Sequence, residues 1–158
     1  MLRELQVTKD KPTNAQYKSG ADENIITGMA VTIDEANGTF NFVSASTATD
    51  LYFVDKERIP TGTNAAKTDM SDYDEDFVTV KKDELAKVIT YYVGERFATD
   101  QADTSTLTIE DRLAADTNGK LIKAATGVSS RYVYKGEFVD NGHKLAIVQV
   151  SDTAVANT

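Results

Sequence analysis

Three Asn-Gly dipeptides constrain the fold of this chain most strongly, because each predicts a tight turn between two β-strands. Asn and Gly accept the positive φ angles of a type I′ turn at little cost, and that turn matches the twist of paired strands. Each dipeptide is flanked by alternating or β-branched residues. The three turns that therefore predict antiparallel hairpins are Asn37-Gly38, Asn118-Gly119 and Asn141-Gly142.

Short runs rich in Val, Ile, Thr, Tyr and Phe recur along the chain. Such runs, separated by turn residues, are typical of a sandwich or a barrel. The sequence therefore predicts a mainly β protein: a compact antiparallel β-barrel or β-sandwich with hairpins and little helix. The predicted strands lie within residues 29–33, 40–42, 51–54, 77–80, 88–93, 106–109, 120–124, 131–134 and 145–150.

One segment carries a helical signal. Leu85, Val88, Ile89 and Tyr92 follow the i, i+3, i+4, i+7 spacing of an apolar helix face. Residues 88–93, however, are β-branched or aromatic, and such side chains lose rotamer freedom on a helix. We prefer a strand over residues 85–93, with a short helix as the alternative. A second short helical turn is allowed near residues 108–114.

The chain of 158 residues fits one domain or two very small ones. Residues 1–20 are poor in apolar side chains and contain Pro12, which predicts an extended N-terminal arm. Residues 21–152 form the predicted β domain, and residues 153–158 form a predicted flexible tail. The polar segment 60–76 predicts a long loop that is either functional or loosely ordered.

A weak internal repeat relates the Asn37 turn to the Asn118 turn. At the same offset Phe40 corresponds to Leu121, and Phe53 corresponds to Tyr134. One interpretation is a pair of similar β units, at about residues 24–80 and 81–152. The other is that unrelated hairpins share the same turn signals, which recur widely.

Charge argues against nucleic acid and membrane partners. The chain carries 17 Lys and Arg against 25 Asp and Glu, a net charge of −8. An acidic body is repelled by phosphates, and the sequence has no basic stripe. No apolar run is long enough to span a bilayer. The first 20 residues also lack the apolar core of a secretory signal, so we expect synthesis in a cytoplasm.

Residue types exclude several kinds of reactive site. Cysteine is absent and His143 is the only histidine, which excludes disulfides, thiolate zinc sites, cysteine nucleophiles and paired-histidine metal sites. A Ser-His-Asp hydrolase would need His143, yet it follows a predicted hairpin turn and no G-x-S-x-G motif is present. We interpret His143 as an exposed turn residue and predict no enzyme activity, no catalytic residues and no cofactor.

An acidic cluster partly matches a calcium-binding loop. Asp72, Asp74 and Asp76 have the D-x-D-x-D spacing of such a loop, and Asp83 falls at its twelfth position. Phe77, however, occupies the sixth position, where the loop needs Gly, and Asp83 replaces the usual bidentate Glu. A solvated acidic loop without metal is the preferred interpretation, and a calcium loop is the alternative.

Other polar and aromatic residues have ordinary explanations. The neighbouring carboxylates Asp22-Glu23 and Glu110-Asp111 would point to opposite faces of a strand, so they do not predict a glycosidase pair. Tyrosines are common both at interfaces and at the edges of cores, and the sequence does not separate these roles. The strand tyrosines concerned are Tyr52, Tyr91, Tyr92, Tyr132 and Tyr134.

Three stretches together resemble the small β-rich capsid decoration (cement) proteins of tailed bacteriophages. Residues 23–46 form a hairpin pattern around an Asn-Gly turn, and residues 91–101 form a strand and turn, YYVGERFATDQ. Residues 110–127 combine a D-x-N-G-K-L turn with a strand of small residues. The similarity extends in style over residues 24–150.

The resemblance implies a non-enzymatic structural protein of the virion. Such a protein, made in the host cytoplasm, would bind the exterior of the capsid and stabilise it, with the major capsid protein and copies of itself, including a trimer, as partners. The N-terminal arm would lie across a neighbouring subunit and order on binding. The partner-binding residues expected on this arm are Leu2, Arg3, Leu5, Val7, Lys9, Lys11 and Tyr17.

Two other classes of binding protein stay open. The first is a head fibre base or a glycan-binding β module, in which tyrosine would replace the tryptophan that this chain lacks. The second is a tail or connector component, which would form rings through strand pairing between subunits.

Overall fold

The computed structural model describes residues 1–7, 17–56 and 75–157, without the side chains of Glu75 and Asp76. The described chain is almost entirely β-structure, which confirms the predicted mainly β class. Its one helix, α1, is a single turn. The elements in chain order are β1 (Leu2–Gln6), β2 (Lys18–Ser19), β3 (Ile25–Ile26), β4 (Ala30–Asp34), β5 (Thr39–Asn41), β6 (Tyr52–Asp55), α1 (Glu75–Val78), β7 (Thr79–Val80), β8 (Lys87–Ile89), β9 (Arg96–Thr99), β10 (Leu113–Ala115), β11 (Leu121–Lys123), β12 (Ser129–Asp140) and β13 (His143–Ala156).

Two larger sheets and two small ribbons make up the fold. One sheet has the strand order β1-β9-β13-β12 and the other the order β2-β5-β4-β6-β8, while β10-β11 and β3-β7 form the ribbons. The paired strands are antiparallel except β2 and β5, which run parallel. The sheets curl into a half-barrel.

All three predicted hairpins form, but with different turns. Asn141 and Gly142 both have positive φ, at 49° and 85°, and the strand pair Asp140 and His143 closes around them. This is the two-residue turn that the dipeptide predicts. In the β4-β5 and β10-β11 turns only the glycine has positive φ, because these connections are longer than two residues.

The five-stranded sheet buries both of its faces. Successive residues of a strand point to opposite sides, so neighbouring residues reach different cores. Ala30, Phe53 and Ile89 enter the main core, which the four-stranded sheet covers. Their neighbours along the chain point the other way and enter a second core, which Tyr17, β3 and β7 cover. These neighbours are Val31, Val54 and Val88.

Four aromatic rings form the centre of the main core. Phe53 is completely buried, and its ring centroid lies 4.5 Å from that of Phe97. The rings of Tyr91 and Tyr132 are each 5.7 Å from Phe53. Tyr91 also stacks on Phe97 at 4.2 Å with an interplanar angle of 12°. The cluster joins β6, β9 and β12 and fixes the positions of two tyrosines.

Several predicted strands are shorter than expected or absent. The strand predicted over residues 85–93 is reduced to β8, because a turn closes with the amide of Glu95 donating to the Tyr92 carbonyl at 3.0 Å. Residues 106–109 form turns rather than a strand, since the Leu107 amide donates to the Thr104 carbonyl. Near residues 108–114, where the sequence allows a helical turn, residues 108–111 form a turn ahead of β10. The strand predicted over residues 77–80 is reduced to the two-residue β7, which follows helix α1.

The prediction of an extended N-terminal arm is wrong for its described residues. Residues 2–6 form the edge strand β1, which pairs with β9. Met1 and Leu2 are buried, and the Met1 amine donates to the Thr27 carbonyl at 2.8 Å. Backbone pairing with β9 holds this segment, so it needs few apolar side chains. Residues 8–16 lie outside the described part of the chain.

The prediction of a flexible tail is also wrong as far as residue 157. Strand β13 continues to Ala156, and Asn157 is buried. The side-chain amide of Asn157 donates to the Ala124 carbonyl at 2.7 Å, and its own carbonyl accepts from Gly127 at 3.0 Å. Specific hydrogen bonds therefore hold a segment that is small and polar in sequence.

The main core does not divide at the predicted boundary near residue 80. Strand β8 pairs with β6, and Phe53 from the first half packs on Phe97 and Tyr132 from the second. The described residues therefore pack around a core that both halves share. A duplication of the two halves stays a prediction.

Candidate functional site

An open groove lies where the chain before β6, the turn after β8 and the β12-β13 ribbon meet. Its volume is about 580 Å³, within the range of roughly 300–1,000 Å³ that is typical of ligand sites. Residues 48–52 form one wall and residues 90–93 form another. The lining is completed by residues of the ribbon, namely Ser129, Arg131, Tyr132, Val150 and Ala154.

Two buried tyrosines anchor the groove to the core. Tyr91 is stacked on Phe97, and the Tyr132 hydroxyl donates to the Leu51 carbonyl at 3.4 Å. Burial raises the pKa of Tyr132 to about 12, with a smaller contribution from the negative charge of Asp50. Burial also raises the pKa of Tyr91 far above its ordinary value. Both phenols are therefore neutral near pH 7, and packing fixes their rings.

The rim of the groove is more polar and more exposed. Tyr92 is 39% exposed and Tyr52 is half-buried. Asp50 and Arg131 are exposed and contribute one negative and one positive charge. Among the described lining residues these are the only acidic and basic side chains, so the groove has no net charge.

Two backbone irregularities shape this rim. Asp50 has a φ of 53°, a left-handed conformation that is uncommon for a residue with a side chain. In the β12-β13 ribbon, residues 151–154 bulge out of β13, because Tyr132 pairs with Val150 while Ser130 already pairs with Val155. Strained residues and bulges are both enriched beside functional sites.

The bulge is held by defined hydrogen bonds. The Arg112 guanidinium donates to the Ser151 hydroxyl at 2.7 Å and to the Ser130 carbonyl at 3.2 Å. The Ser151 hydroxyl in turn lies 2.7 Å from the Thr153 carbonyl oxygen. Arg112 thus bridges β12 and the bulge from outside the groove.

The predicted partner-binding residues do not form one surface. Leu5 and Val7 are exposed by 44% and 38%, as the prediction requires. Arg3 is half-exposed and donates through Nε to the carboxylate of Asp140 at 2.7 Å.

For two members of the set the prediction is wrong. Leu2 packs in the main core and Tyr17 in the second core, where its hydroxyl donates to the Glu35 carboxylate. Both side chains pack inside the folded protein, so they are not available to a partner. Lys9 and Lys11 lie outside the described residues.

The calcium alternative falls largely outside the described chain. Asp72 and Asp74 are not described, and the side chain of Asp76 is not described either. Asp83 is exposed in a turn with a φ of 63°, and its amide donates to the Ser19 carbonyl at 2.9 Å. Within the described ranges no group of three or more acidic or histidine side chains is close enough to hold a metal ion.

The carboxylates that neighbour each other in sequence have separate ion partners. Lys135 donates to Glu110 at 2.6 Å, and Lys123 lies 3.0 Å from Asp111. The backbone amide of Thr108 is the main cause of the lowered pKa of Asp111. These groups stabilise turns and strand pairs.

Asp22 and His143 lie at the surface. Asp22 accepts a hydrogen bond from the ammonium of Lys82, which lowers the pKa of the carboxyl. His143 is exposed at the first position of β13, directly after the predicted turn.

The groove itself was not predicted from the sequence. The sequence does not separate the core and interface roles of tyrosine, and in the structure Tyr91 and Tyr132 are buried while Tyr92 is exposed. Asp50 and Arg131 gave no local signal, since they are far apart in sequence and meet only through strand packing.

No protein family, curated protein or solved structure matches this chain significantly. Within the described residues, no helix is long and apolar enough to cross a membrane.

We expect the folded protein to lose stability between about pH 10 and pH 12. Tyr132 ionises near its ordinary pKa of 10.0 when unfolded but at about 12 when folded. The unfolded state therefore releases protons first as the pH rises, which favours unfolding by roughly 2 kcal/mol at pH 12. Below pH 10 this contribution is fully present. Tyr91 acts in the same direction.

Alkaline titration followed by phenolate absorbance and circular dichroism would test this expectation. The absorbance of the tyrosines that ionise last should rise over the same pH interval in which the circular dichroism of the β-sheets is lost. A Tyr132→Phe variant should lose one late-titrating group and show a smaller loss of stability over the same pH interval. Ionisation of every tyrosine near pH 10 in the folded protein would contradict it.

Proposed function

We propose that this protein is a non-enzymatic structural component of a bacteriophage virion that binds the outer surface of the capsid and stabilises the shell. The observation that carries the proposal is the set of three stretches that resemble capsid decoration proteins. In the structure these stretches lie together. Residues 91–101 include β9, while residues 23–46 and 110–127 contain the hairpins β4-β5 and β10-β11.

The two hairpins dock on each other. The Ala30 amide donates to the Gly119 carbonyl at 2.8 Å, and Thr47 pairs with Ala115. Gly119 is so close to Phe42 that a Cβ there would lie 2.9 Å from the ring. The resembling segments thus form one continuous scaffold, which supports treating them as a unit.

The edge strand β1 is the surface that best fits attachment. In the described four-stranded sheet β1 and β12 are the two end strands, and edge strands present backbone groups that another chain can pair with. Leu5 and Val7 add exposed apolar area next to that edge. We propose that β1 contacts the major capsid protein, and that contacts between copies strengthen the array through effective concentration.

Introducing negative charge at Leu5 and at Val7, which directly follows β1, should weaken attachment to the capsid. We expect the double variant Leu5→Glu/Val7→Glu to bind at least about tenfold more weakly, because it places two charges in an apolar contact. The measurement is co-sedimentation with particles of the encoding phage that lack this protein. Both side chains are exposed, so the melting temperature should change little.

A matched control adds the same charge elsewhere. Ile109 and Val139 are exposed by 65% and 64%, and the variant Ile109→Glu/Val139→Glu should bind like the parent protein. Equal binding by both double variants would show that β1 is not the attachment surface. If the parent protein does not bind the particles, the proposed function fails. If the isolated protein forms rings, a tail or connector role replaces it.

A further inference from the structure

We propose that the groove is a second binding site, which takes a neutral oligosaccharide. The described residues 1–7 contribute nothing to its lining, so the site is separate from the β1 surface. The inference therefore goes beyond capsid attachment and does not depend on it.

The charges of the groove disfavour a ligand that carries charge of only one sign. An anion attracted by Arg131 would also meet the carboxylate of Asp50, and a cation attracted by Asp50 would meet the guanidinium of Arg131. A neutral ligand with hydroxyl groups avoids this conflict, because each hydroxyl can donate to a carboxylate and accept from a guanidinium.

The uncharged lining groups match the same ligand chemistry. Thr49, Thr90 and Ser129 add hydroxyls that both donate and accept hydrogen bonds. Tyr52 and Tyr92 add amphipathic rings at the rim. The C–H groups on a pyranose face are weakly positive and are attracted to the negative face of an aromatic ring. A purely apolar ligand would leave the polar groups without partners.

The groove is also prepared for binding before a ligand arrives. Stacking on Phe97 fixes Tyr91, and the Arg112 hydrogen bonds fix the bulge at residues 151–154. Asp50 has a left-handed backbone conformation at the rim. A rigid site loses little conformational entropy on binding, which suits a ligand that forms many weak hydrogen bonds.

Nuclear magnetic resonance titration of the full-length chain would test the proposal. The probes are the neutral sugars cellohexaose, maltohexaose and hexa-N-acetylchitohexaose, each added alone to isotope-labelled protein. We expect at least one of them to cause saturable shifts of the Asp50, Tyr92 and Arg131 amides. Tyr92→Ala and Arg131→Ala should each weaken that binding by about fivefold or more, while the exposed control Val139→Ala should not.

Each other outcome overturns the proposal. Absence of saturable groove shifts with all three sugars excludes the neutral oligosaccharide. Shifts that persist unchanged in both Tyr92→Ala and Arg131→Ala place the sugar elsewhere. Groove shifts that arise from raising the protein concentration without sugar assign the groove to a second copy of the chain. Because Tyr92 and Arg131 are exposed, both variants should keep the parent melting temperature.

Discussion

Replacing Phe53 with alanine is expected to lower the free energy of unfolding by about 3–5 kcal/mol. Phe53 is completely buried and touches the rings of Phe97, Tyr91 and Tyr132. The substitution removes a whole ring and leaves a cavity whose walls come from β9, β12 and the segment after β8. Those walls cannot collapse easily, because backbone pairing holds each strand in place.

Urea denaturation of the parent and variant proteins measures this loss. Phe53→Leu keeps most of the apolar volume and should cost only about 1–1.5 kcal/mol. Val139→Ala, at an exposed position, should stay within about 0.5 kcal/mol of the parent. A loss below about 1 kcal/mol for Phe53→Ala would show that the four rings are not the centre of the core. Phe53→Ala should also weaken any ligand binding in the groove, because Tyr91 and Tyr132 would lose their contact with the Phe53 ring.

Replacing Gly28 with alanine is expected to cost about 3 kcal/mol from two sources. Gly28 has a φ of 96°, and a residue with a side chain is strained there by roughly 1–2 kcal/mol. An added Cβ would also lie 2.4 Å from the Thr99 hydroxyl and 2.7 Å from the Met1 carbonyl oxygen. The Met1 carbonyl oxygen is a backbone atom directly before β1. Moving it to relieve the clash would therefore disturb the pairing of β1 with β9.

Gly94 provides a matched control for the Gly28 substitution. Its φ of 88° is similar, but no heavy atom lies within 4 Å of the position that a Cβ would take. Gly94→Ala should therefore show the backbone strain alone, about 1–2 kcal/mol. The difference between the two variants in thermal or urea unfolding measures the clash. Equal losses would contradict the close packing of residue 28 against the N-terminal segment.

Local sequence signals were sufficient for the hairpins and for much of the buried pattern. The Asn-Gly dipeptides marked β4-β5, β10-β11 and β12-β13 correctly, because turn chemistry depends on only a few adjacent residues. Within the strand predicted over residues 29–33, the alternate residues Met29, Val31 and Ile33 all pack in or against the second core.

Segments held by distant partners were predicted less well. The predicted arm, residues 1–20, and the predicted tail, residues 153–158, are polar in sequence, yet β1 within the arm pairs with β9 and Asn157 in the tail bonds to Ala124. Their stability comes from backbone groups and single side chains contributed by remote parts of the chain. Residues 85–93 were ambiguous because short apolar runs fit either period. The Glu95 carboxylate, which accepts from the Tyr92 amide at 2.8 Å, decides the turn there.

The sequence alone determined the mainly β class, the three hairpins and the lack of thiol chemistry, because these depend on residue type and short-range spacing. The tertiary structure alone decided that Leu2 and Tyr17 are core residues and that Asp50, Tyr91 and Arg131 share a groove. Such groupings arise when strands distant in the chain are brought into register. A one-residue change of register would send each side chain to the opposite face of its sheet, so local patterns cannot specify them.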